Sequence, residues 1–360
     1  MLRDVGITAG RIEKLDANIP RSQARDVIDA TGRIVTPGSI DMHVHVYDGV
    51  AVASIDPDGA GVHRGVTTVV DGGSSGATTY PGFRKHIIDR AQTTVYALLN
   101  ISTIGFVVTN ENYLDVKLID QDAAIRVINA NRDRILGIKV RIDGRDETAD
   151  RDVDNPAARP HRIGRDRCAD PDALGARSTP HLDAESGRRH HTPVQPAACR
   201  PRSPRTGRLP SSSSTSTCRS GGSSPTSRTA VISCGRRRRG RRSWDGIPTS
   251  SPADLHRAHI APNGNVVDLA TTMAKFMYLG LSFEQVVERV TTRPVAALKF
   301  NGAKIGTLAP GAAADVTICN LADRPIQLFD STKDPRTGRQ AIDVVTTIKA
   351  GRVVPKIDTN

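Results

Sequence analysis

The chain has 360 residues, with 50 lysines and arginines against 38 acidic residues, and its formal net charge is +12. This length predicts two domains, or one large barrel with an accessory part. No run approaches the ~18 apolar residues of a membrane-spanning helix, and the start lacks an apolar signal segment, so we expect a cytoplasmic protein without a membrane partner.

The first part of the chain predicts short strands. Apolar and polar residues alternate around a glycine in 5–16, and the same alternation returns in 26–38. Alternation with period two is typical of half-buried strands. We therefore expect a small β-layer here.

From about residue 38 to 141, apolar runs alternate with helical stretches. The predicted strands include "GVTTVVDGG", "TVYALLNIST" and "ILGIKVRI", and the predicted helices are "YPGFRKHIIDRA" and "DQDAAIRVINANRDR". This alternation predicts a parallel sheet or a (β/α) barrel. The glycine-rich "DGGSSGATTYPG" lacks the Lys-Ser/Thr ending of a phosphate-binding loop, so we expect a substrate-facing loop.

The strongest local motif is "GSIDMHVHVYDG", which holds His43 and His45. Residues two apart on a strand project from the same face, so both imidazoles can reach one cation. Imidazole suits zinc and related divalent ions. The alternative is a pair of hydrogen-bonded core histidines, but the position at the carboxyl end of an apolar strand favours ligands.

Lys139 lies between Ile138 and Val140 in a strand that we expect to be buried. Desolvation lowers the pKa of a lysine and favours its reactive neutral amine. The alternative is a lysine whose ammonium reaches solvent at the end of the strand.

The composition changes abruptly over residues 151–243. This stretch carries 20 arginines, no lysine and 7 acidic residues, so its net charge is +13 while the rest of the chain is close to neutral. It contains no Phe, Tyr, Trp or Met, and it holds four of the five cysteines. A basic nucleic-acid arm and a solvated linker are two interpretations. The third is coding sequence translated out of frame, since a GC-rich gene read in a wrong frame gives this composition.

Asp254 in "ADLH" follows that stretch. A carboxylate beside a metal ion can orient water and carry its proton to the leaving group. His256 and His259 lie two and five positions further on, which does not dictate a shared face, so we treat them as outer or surface candidates.

Three helices and closing strands complete the chain. The spacing in 265–280 predicts a helix, and Ser282 with Gln285 forms a capping-box pattern for a second one, whose buried side carries Phe283, Val286, Val287 and Val290. Pro294 is predicted to start a third helix. The runs 305–321 and 344–354 predict strands, with Cys319 in the core.

Several of these segments together resemble one protein family. They are "DATGRIVTPGSIDMHVH", "GIKVRI", "ADLH", "VVDLATTMAKFMYLGLSFEQVVERVTTRPVAAL" and "IGTLAPGAAADVTI". In this order they resemble the amidohydrolase superfamily, and within it the dihydroorotase-like amidohydrolase/deacetylase group. The resemblance covers roughly residues 5 to 141 and 250 to 355.

The resemblance implies an α/β fold with a distorted (β/α)8 barrel over 38–304 and a small β-sandwich from 1–37 and 305–360. It implies one or two divalent metal ions, usually zinc, with His43, His45 and Asp254 as ligands of the first. Lys139 would be carboxylated by CO2 and bridge the ions.

The activity implied by the resemblance is hydrolysis of an amide, a cyclic amide or an acyl ester in a small-molecule substrate. Hydroxide generated by the metal ions would attack, and Asp254 would act as general base and acid. We expect no nucleic-acid partner, and a homo-oligomer stays open.

The chain departs from the family where two further metal-binding histidines are expected. That interval is the anomalous stretch, and its histidines, His161, His181, His190 and His191, do not end apolar strands. We hypothesise a frame change near 150–160 that reverses near 244–253. We therefore expect irregular structure over 151–245 and weak or no activity; the start also looks late for the family. The alternatives are a non-functional product and an Arg-rich nucleic-acid-binding protein.

Overall fold

The computed structural model describes residues 3–108, 116–140, 252–260, 266–329 and 333–355. The predictions made for 151–245, including those for its four histidines, lie outside the described residues. Within the described part of the chain, no helix is long and apolar enough to cross a membrane.

The described residues contain twelve strands in chain order. They are β1 (Asp4–Thr8), β2 (Arg11–Asp16), β3 (Ile34–Pro37), β4 (Ser39–Val44), β5 (Val66–Asp71), β6 (Thr94–Asn100), β7 (Ile135–Lys139), β8 (Val316–Ala322), β9 (Ile326–Phe329), β10 (Pro335–Gly338), β11 (Ala341–Lys349) and β12 (Arg352–Val354).

The α-helices of the same residues number seven. They are α1 (Pro57–Ala60), α2 (Tyr80–Phe83), α3 (Gln121–Ala130), α4 (Arg257–Ile260), α5 (Leu269–Tyr278), α6 (Phe283–Arg289) and α7 (Thr292–Leu298). A π-helical turn, Arg84–Ile88, continues α2. Short 3-10 turns lie at Arg21–Gln23, Val62–Arg64, Val116–Leu118 and Phe300–Gly302.

A parallel sheet with the order β4-β5-β6-β7 forms the centre of the described structure. Every residue of β5 is buried, and in β6 only the first residue is partly exposed. Near-continuous burial is typical of parallel strands that are covered on both faces. The alternation of strand and helix predicted for 38–141 is therefore confirmed.

The segment 252–256 lies beside β4 and extends the arrangement on that side. Val44 and Leu255 form a parallel bridge, and the His45 N–H donates to the Leu255 carbonyl at 3.0 Å. This pairing brings residue 254 to the carboxyl edge of the sheet.

The two ends of the chain meet in an antiparallel sheet with the order β12-β11-β8-β3. β3 pairs with β8 in a register that joins Val35 to Ile318. Two hairpins, β1-β2 and β9-β10, complete the strands. The small β-layer built from both ends is as expected, while the boundaries at 37 and 305 stay a prediction.

The helices after residue 265 follow their predicted signals with one correction. The Ser282 hydroxyl accepts from the Gln285 N–H and the Gln285 side chain accepts from the Ser282 N–H, so the capping box is confirmed. The prediction that Pro294 starts α7 is wrong, because the helix begins at Thr292. A proline still fits there, since the first turn of a helix has no intrahelical acceptor for its N–H groups.

Candidate metal centre

His43 and His45 lie at the carboxyl end of β4. His43 is the second-to-last residue of the strand, and His45 directly follows the strand. Their ring centroids are 5.3 Å apart. As the two-residue spacing predicts, the rings approach the same region.

Asp254 approaches both rings from the neighbouring segment. Its Oδ1 lies 3.5 Å from Nε2 of His43 and 3.9 Å from Nε2 of His45. One ligand atom from each of the three side chains lies within 4.8 Å of the others. Their spacing is compatible with a shared divalent cation, to which imidazole and carboxylate are common ligands.

The backbone of Asp254 is in the left-handed region, with φ of 50°. That conformation is uncommon for residues other than glycine, and such strain is concentrated at functional sites. The neighbouring backbone is held by Asp41, whose Oδ1 accepts from the Ala253 N–H at 3.1 Å. The hydrogen bond to Asp41 thus holds the backbone next to this carboxylate in place.

The electrostatic state of His43 suits cation binding. Burial lowers the pKa of His43 well below its usual value, and the charge of Lys139 lowers it further. The ring is therefore neutral, which is the form that donates a lone pair to a metal ion. Its Nε2 is buried and has no hydrogen-bond partner. A buried polar atom of this kind calls for a partner, and a cation at this position would supply one.

The glycine-rich loop after β5 makes room for the site. A Cβ on Gly72 would clash with Cδ2 and Nε2 of His43, and a Cβ on Gly73 would lie 2.6 Å from Cβ and Cγ of Lys139. The two glycines therefore let both side chains pass over the loop backbone. We expected this loop to face substrate, and the structure gives it this packing role.

Ser74 determines which nitrogen of His45 carries the proton. Nδ1 of His45 lies 2.9 Å from the Ser74 Oγ, and the Ser54 hydroxyl donates to the same oxygen at 3.3 Å. The Ser74 side chain also hydrogen-bonds to the Asp71 carboxylate. A neutral histidine that offers Nε2 to a cation carries its proton on Nδ1, so with a cation at the centre Nδ1–H of His45 donates to Ser74. The Nε2 lone pair of His45 then points toward Asp254.

Asp71 is held by backbone N–H groups. Its Oδ1 accepts from Gly73 and Ser74 at 3.0 and 2.6 Å, and its Oδ2 accepts from Val46 at 2.9 Å. Burial raises the Asp71 pKa, and these hydrogen bonds oppose the rise. Apart from the position of Asp71 at the end of a strand, no sequence pattern indicates this network.

Asp41 is a second buried carboxylate under the site. Burial raises its pKa to about 7, against the N–H groups of Ala253 and His43, which lower it. Its Oδ2 is buried without a hydrogen-bond partner. Asp41 thus ties the strand that carries His43 to the segment that carries Asp254.

Lys139 ends β7 and is partly buried, as its place on an apolar strand predicts. Its main chain pairs with Asn100 of β6, whose amide donates to the Gly73 carbonyl at 2.8 Å. Its charge lowers the pKa of His43, so the two side chains lie near enough for an electrostatic effect.

His256 and His259 contribute more to the site than the sequence suggested. Their rings stack with centroids 3.7 Å apart, and together with Asp254 they form a second group that could hold a metal ion. The spacing alone could not show this, because α4 begins at Arg257 and turns His259 back toward residue 254.

Comparisons with known proteins find relatives that match most of the chain. A deacetylase from Brucella anthropi is 30% identical over 91% of this chain and 83% of its own length. A deacetylase from Agrobacterium fabrum is 28% identical over 96% of this chain and 86% of its own length. No family model matches the chain.

Solved structures show the fold. A crystal structure of an adenine deaminase superposes with a TM-score of 0.67 at 21% identity, over 98% of this chain and 96% of the other. A dihydroorotase superposes with a TM-score of 0.67 at 22% identity, over 98% of this chain and 94% of the other. The fold is that of the barrel amidohydrolases, and by its curated relatives the chain belongs to the amidohydrolase superfamily.

Proposed function

We propose that this chain is a metal-dependent hydrolase that cleaves an amide, a cyclic amide or an acyl ester of a small molecule. The observation that carries the proposal is the convergence of His43, His45 and Asp254 from two segments that are far apart in sequence. The likeness to curated deacetylases favours removal of an acyl group as the reaction.

The donor set favours zinc as the ion. Two imidazole nitrogens and one carboxylate oxygen form a ligand set that zinc accepts, and catalytic zinc sites keep a further position for water or substrate. When bound, such an ion supplies Lewis acidity that polarises a carbonyl group and lowers the pKa of water from 15.7 toward about 7.

Asp254 is the proposed general base and acid. Its Oδ1 lies beside Nε2 of both histidines, so the carboxylate can accept a proton from water at the centre. It then returns that proton to the departing nitrogen or oxygen. His43 and His45 stay neutral and hold position, and Ser74 keeps Nδ1 of His45 protonated.

Lys139 is proposed to react with CO2, so that its neutral amine forms a carbamate and releases one proton. This modification replaces a cation with an anion beside His43. The repulsion that lowers the His43 pKa is then exchanged for attraction between the carbamate and a bound cation. Lys139 would thereby complete the ligand set.

The alternatives are less well supported. An Arg-rich nucleic-acid-binding protein would not explain the converging ligands or the extent of the similarity to deacetylases. The second alternative is a non-functional product that keeps the fold of the family but has no activity. Only a measurement of activity distinguishes it from the main proposal. Location in the cytoplasm stays a prediction.

Turnover by the purified full chain tests the proposal. The chain is stripped with a chelator, reloaded with Zn²⁺ and assayed on N-acetyl amino acids, acetyl esters and cyclic amides. Hydrolysis that depends on Zn²⁺, even at a low rate, supports the proposal, and no hydrolysis by either this chain or a chain with its frame restored contradicts it. A gene with its frame restored over 151–245 is the matched comparison, and the frame hypothesis expects the restored protein to be the more active one.

A further inference from the structure

Asp254, His256 and His259 form a cluster beside the proposed centre. One ligand atom from each side chain lies within 4.8 Å of the others, and all three side chains are partly exposed, so an ion can reach them from solvent. The His256 ring is 6.2 Å from the His45 ring, measured between centroids. The cluster therefore borders the first group and shares the carboxylate of Asp254 with it.

The tautomer of His259 follows from its hydrogen bond. Its Nδ1 lies 2.6 Å from the Asp254 carbonyl oxygen. A carbonyl oxygen only accepts, so Nδ1 carries the proton and Nε2 carries the lone pair. A histidine whose other nitrogen donates to a backbone carbonyl is the usual arrangement of a metal ligand, because the bond fixes the ring and raises its basicity.

His256 provides an independent observation. Its Nδ1 is buried and has no hydrogen-bond partner, although the ring stacks on His259. Buried polar atoms in native structures are rarely left without a partner, and each exception needs an explanation. A cation bound through Nδ1 of His256 would give this nitrogen the partner that it lacks.

We infer that Asp254, His256 and His259 form a second site for a divalent cation of the Zn²⁺ or Co²⁺ class, which shares the Asp254 carboxylate with the His43–His45 site. Carboxylates bridge neighbouring ions because each oxygen can bind a different one. The inference rests on the proposed function only in that both use Asp254.

The sharing of Asp254 makes the inference specific. Two independent sites would lose their ions separately, whatever residue is changed. Two sites that share a carboxylate lose one ion when either histidine pair is removed, and both when the carboxylate is removed.

The experiment counts ions bound to the full chain. Each protein is stripped with a chelator, titrated with Co²⁺ and passed over a desalting column, and its metal content is measured by mass spectrometry together with the visible absorption of bound Co²⁺. The variants are His256→Ala with His259→Ala, His43→Ala with His45→Ala, and Asp254→Ala. The control is His63→Ala with His86→Ala, which removes two imidazoles elsewhere.

We expect each histidine pair at the centre to account for one equivalent of Co²⁺, Asp254 for two, and the control pair for none. Ions bound elsewhere on the chain are present in every variant, so they cancel in the differences. Circular dichroism checks the fold, and the single variants His256→Gln and His259→Gln replace the double variant if it does not fold.

An unchanged Co²⁺ count after loss of His256 and His259 overturns the inference, as does a wild-type chain that binds no Co²⁺. Turnover measured on the same samples separates the two proposals. The expected Co²⁺ losses without hydrolysis keep the second site and count against the hydrolase. Zn²⁺-dependent hydrolysis with an unchanged Co²⁺ count after loss of His256 and His259 keeps the hydrolase and rejects the second site.

Discussion

The buried carboxylates of the parallel and antiparallel sheets differ in their hydrogen-bond partners. Asp315, at the start of the antiparallel sheet, accepts from Lys349 Nζ at 2.6 Å and from the Ala350 N–H at 2.9 Å. In the parallel sheet, Asp71 is held by N–H groups and a serine, and Asp41 has an oxygen without a hydrogen-bond partner. Burial raises the pKa of both.

We call the antiparallel sheet the structural sheet, because both oxygens of Asp315 accept hydrogen bonds. We call the parallel sheet the chemical sheet, because it carries the proposed metal ligands. Among the strands that the structure describes, β3, β8, β11 and β12 contain no buried side-chain atom that lacks a hydrogen bond, whereas β4 contains two. Unsatisfied buried polar atoms cost free energy, and the two in β4, Asp41 Oδ2 and His43 Nε2, lie at the proposed metal centre. The following changes test this contrast.

Replacement of Asp254 should have the largest effect on the chemical sheet. We expect Asp254→Asn to lower kcat/KM about 10³-fold, because an amide cannot accept the proton of water, which is a loss of about 4 kcal/mol in transition-state stabilisation. The free energy of unfolding should stay within about 0.5 kcal/mol of the wild type. Steady-state kinetics measures the loss in kcat/KM, and thermal unfolding measures the stability. Unchanged kinetics would remove Asp254 from the mechanism.

Loss of the Lys349 charge should damage the structural sheet instead. Lys349→Met leaves Asp315 buried without its cation, which costs about 3 kcal/mol of unfolding free energy. Chemical denaturation measures the cost, and the ion affinity of the folded protein should not change.

The control for Lys349 is Arg324→Met. This arginine pairs with Asp343 at the surface, where both side chains are about half exposed, so we expect less than about 0.5 kcal/mol. Equal costs for the two variants would mean that burial does not distinguish the pairs.

A methyl group on Gly72 should displace the His43 ring. We expect Gly72→Ala to weaken Zn²⁺ binding about 30-fold, equivalent to about 2 kcal/mol, because the buried ring must move away from the added Cβ. Competition with a chromophoric chelator measures the affinity. Gly32→Ala is the control, since its added Cβ meets nothing within 4 Å, although its φ of 73° brings a backbone cost. Equal Zn²⁺ affinities for the two variants would contradict the packing role.

Removal of the Ser74 hydroxyl should have the smallest effect. Ser74→Ala leaves Nδ1 of His45 without its acceptor, and we expect about tenfold weaker Zn²⁺ binding, or about 1.4 kcal/mol. Nitrogen chemical shifts of His45 should show a mixture of tautomers in place of one.

Ser75→Ala is the matched control for Ser74. Its Oγ is buried next to Ser74 but has no hydrogen-bond partner, so its loss should leave ion affinity unchanged and should not destabilise the fold. A tenfold loss of affinity in Ser75→Ala would show that the loop responds to any change in volume.

The sequence predicted the half of the site that depends on short-range periodicity. His43 and His45 share a face because β4 is extended, and Lys139 ends a buried strand as its neighbours indicate. Asp254 was assigned by resemblance, since one carboxylate in "ADLH" carries little information by itself.

The remaining features depend on local geometry that spacing does not encode. His259 reaches back to Asp254 because α4 begins between His256 and His259. Ser74 reaches His45 because the loop turns at Gly73, where φ is 93°. The start of α7 predicted from Pro294 is two positions too late. A proline is tolerated throughout the first helical turn, so it marks the start of a helix only approximately.

The hydrogen bond between Asp41 and Ala253 has a kinetic consequence, because it joins residues 212 positions apart. Contacts of such long range form late, after the entropy of closing the intervening loop has been overcome. During synthesis the ribosome releases the two histidines of the motif long before the aspartate, so the nascent chain cannot assemble the full ligand set. Ion capture therefore requires this long-range docking, and a fault in the intervening chain that prevents the docking also prevents metal binding.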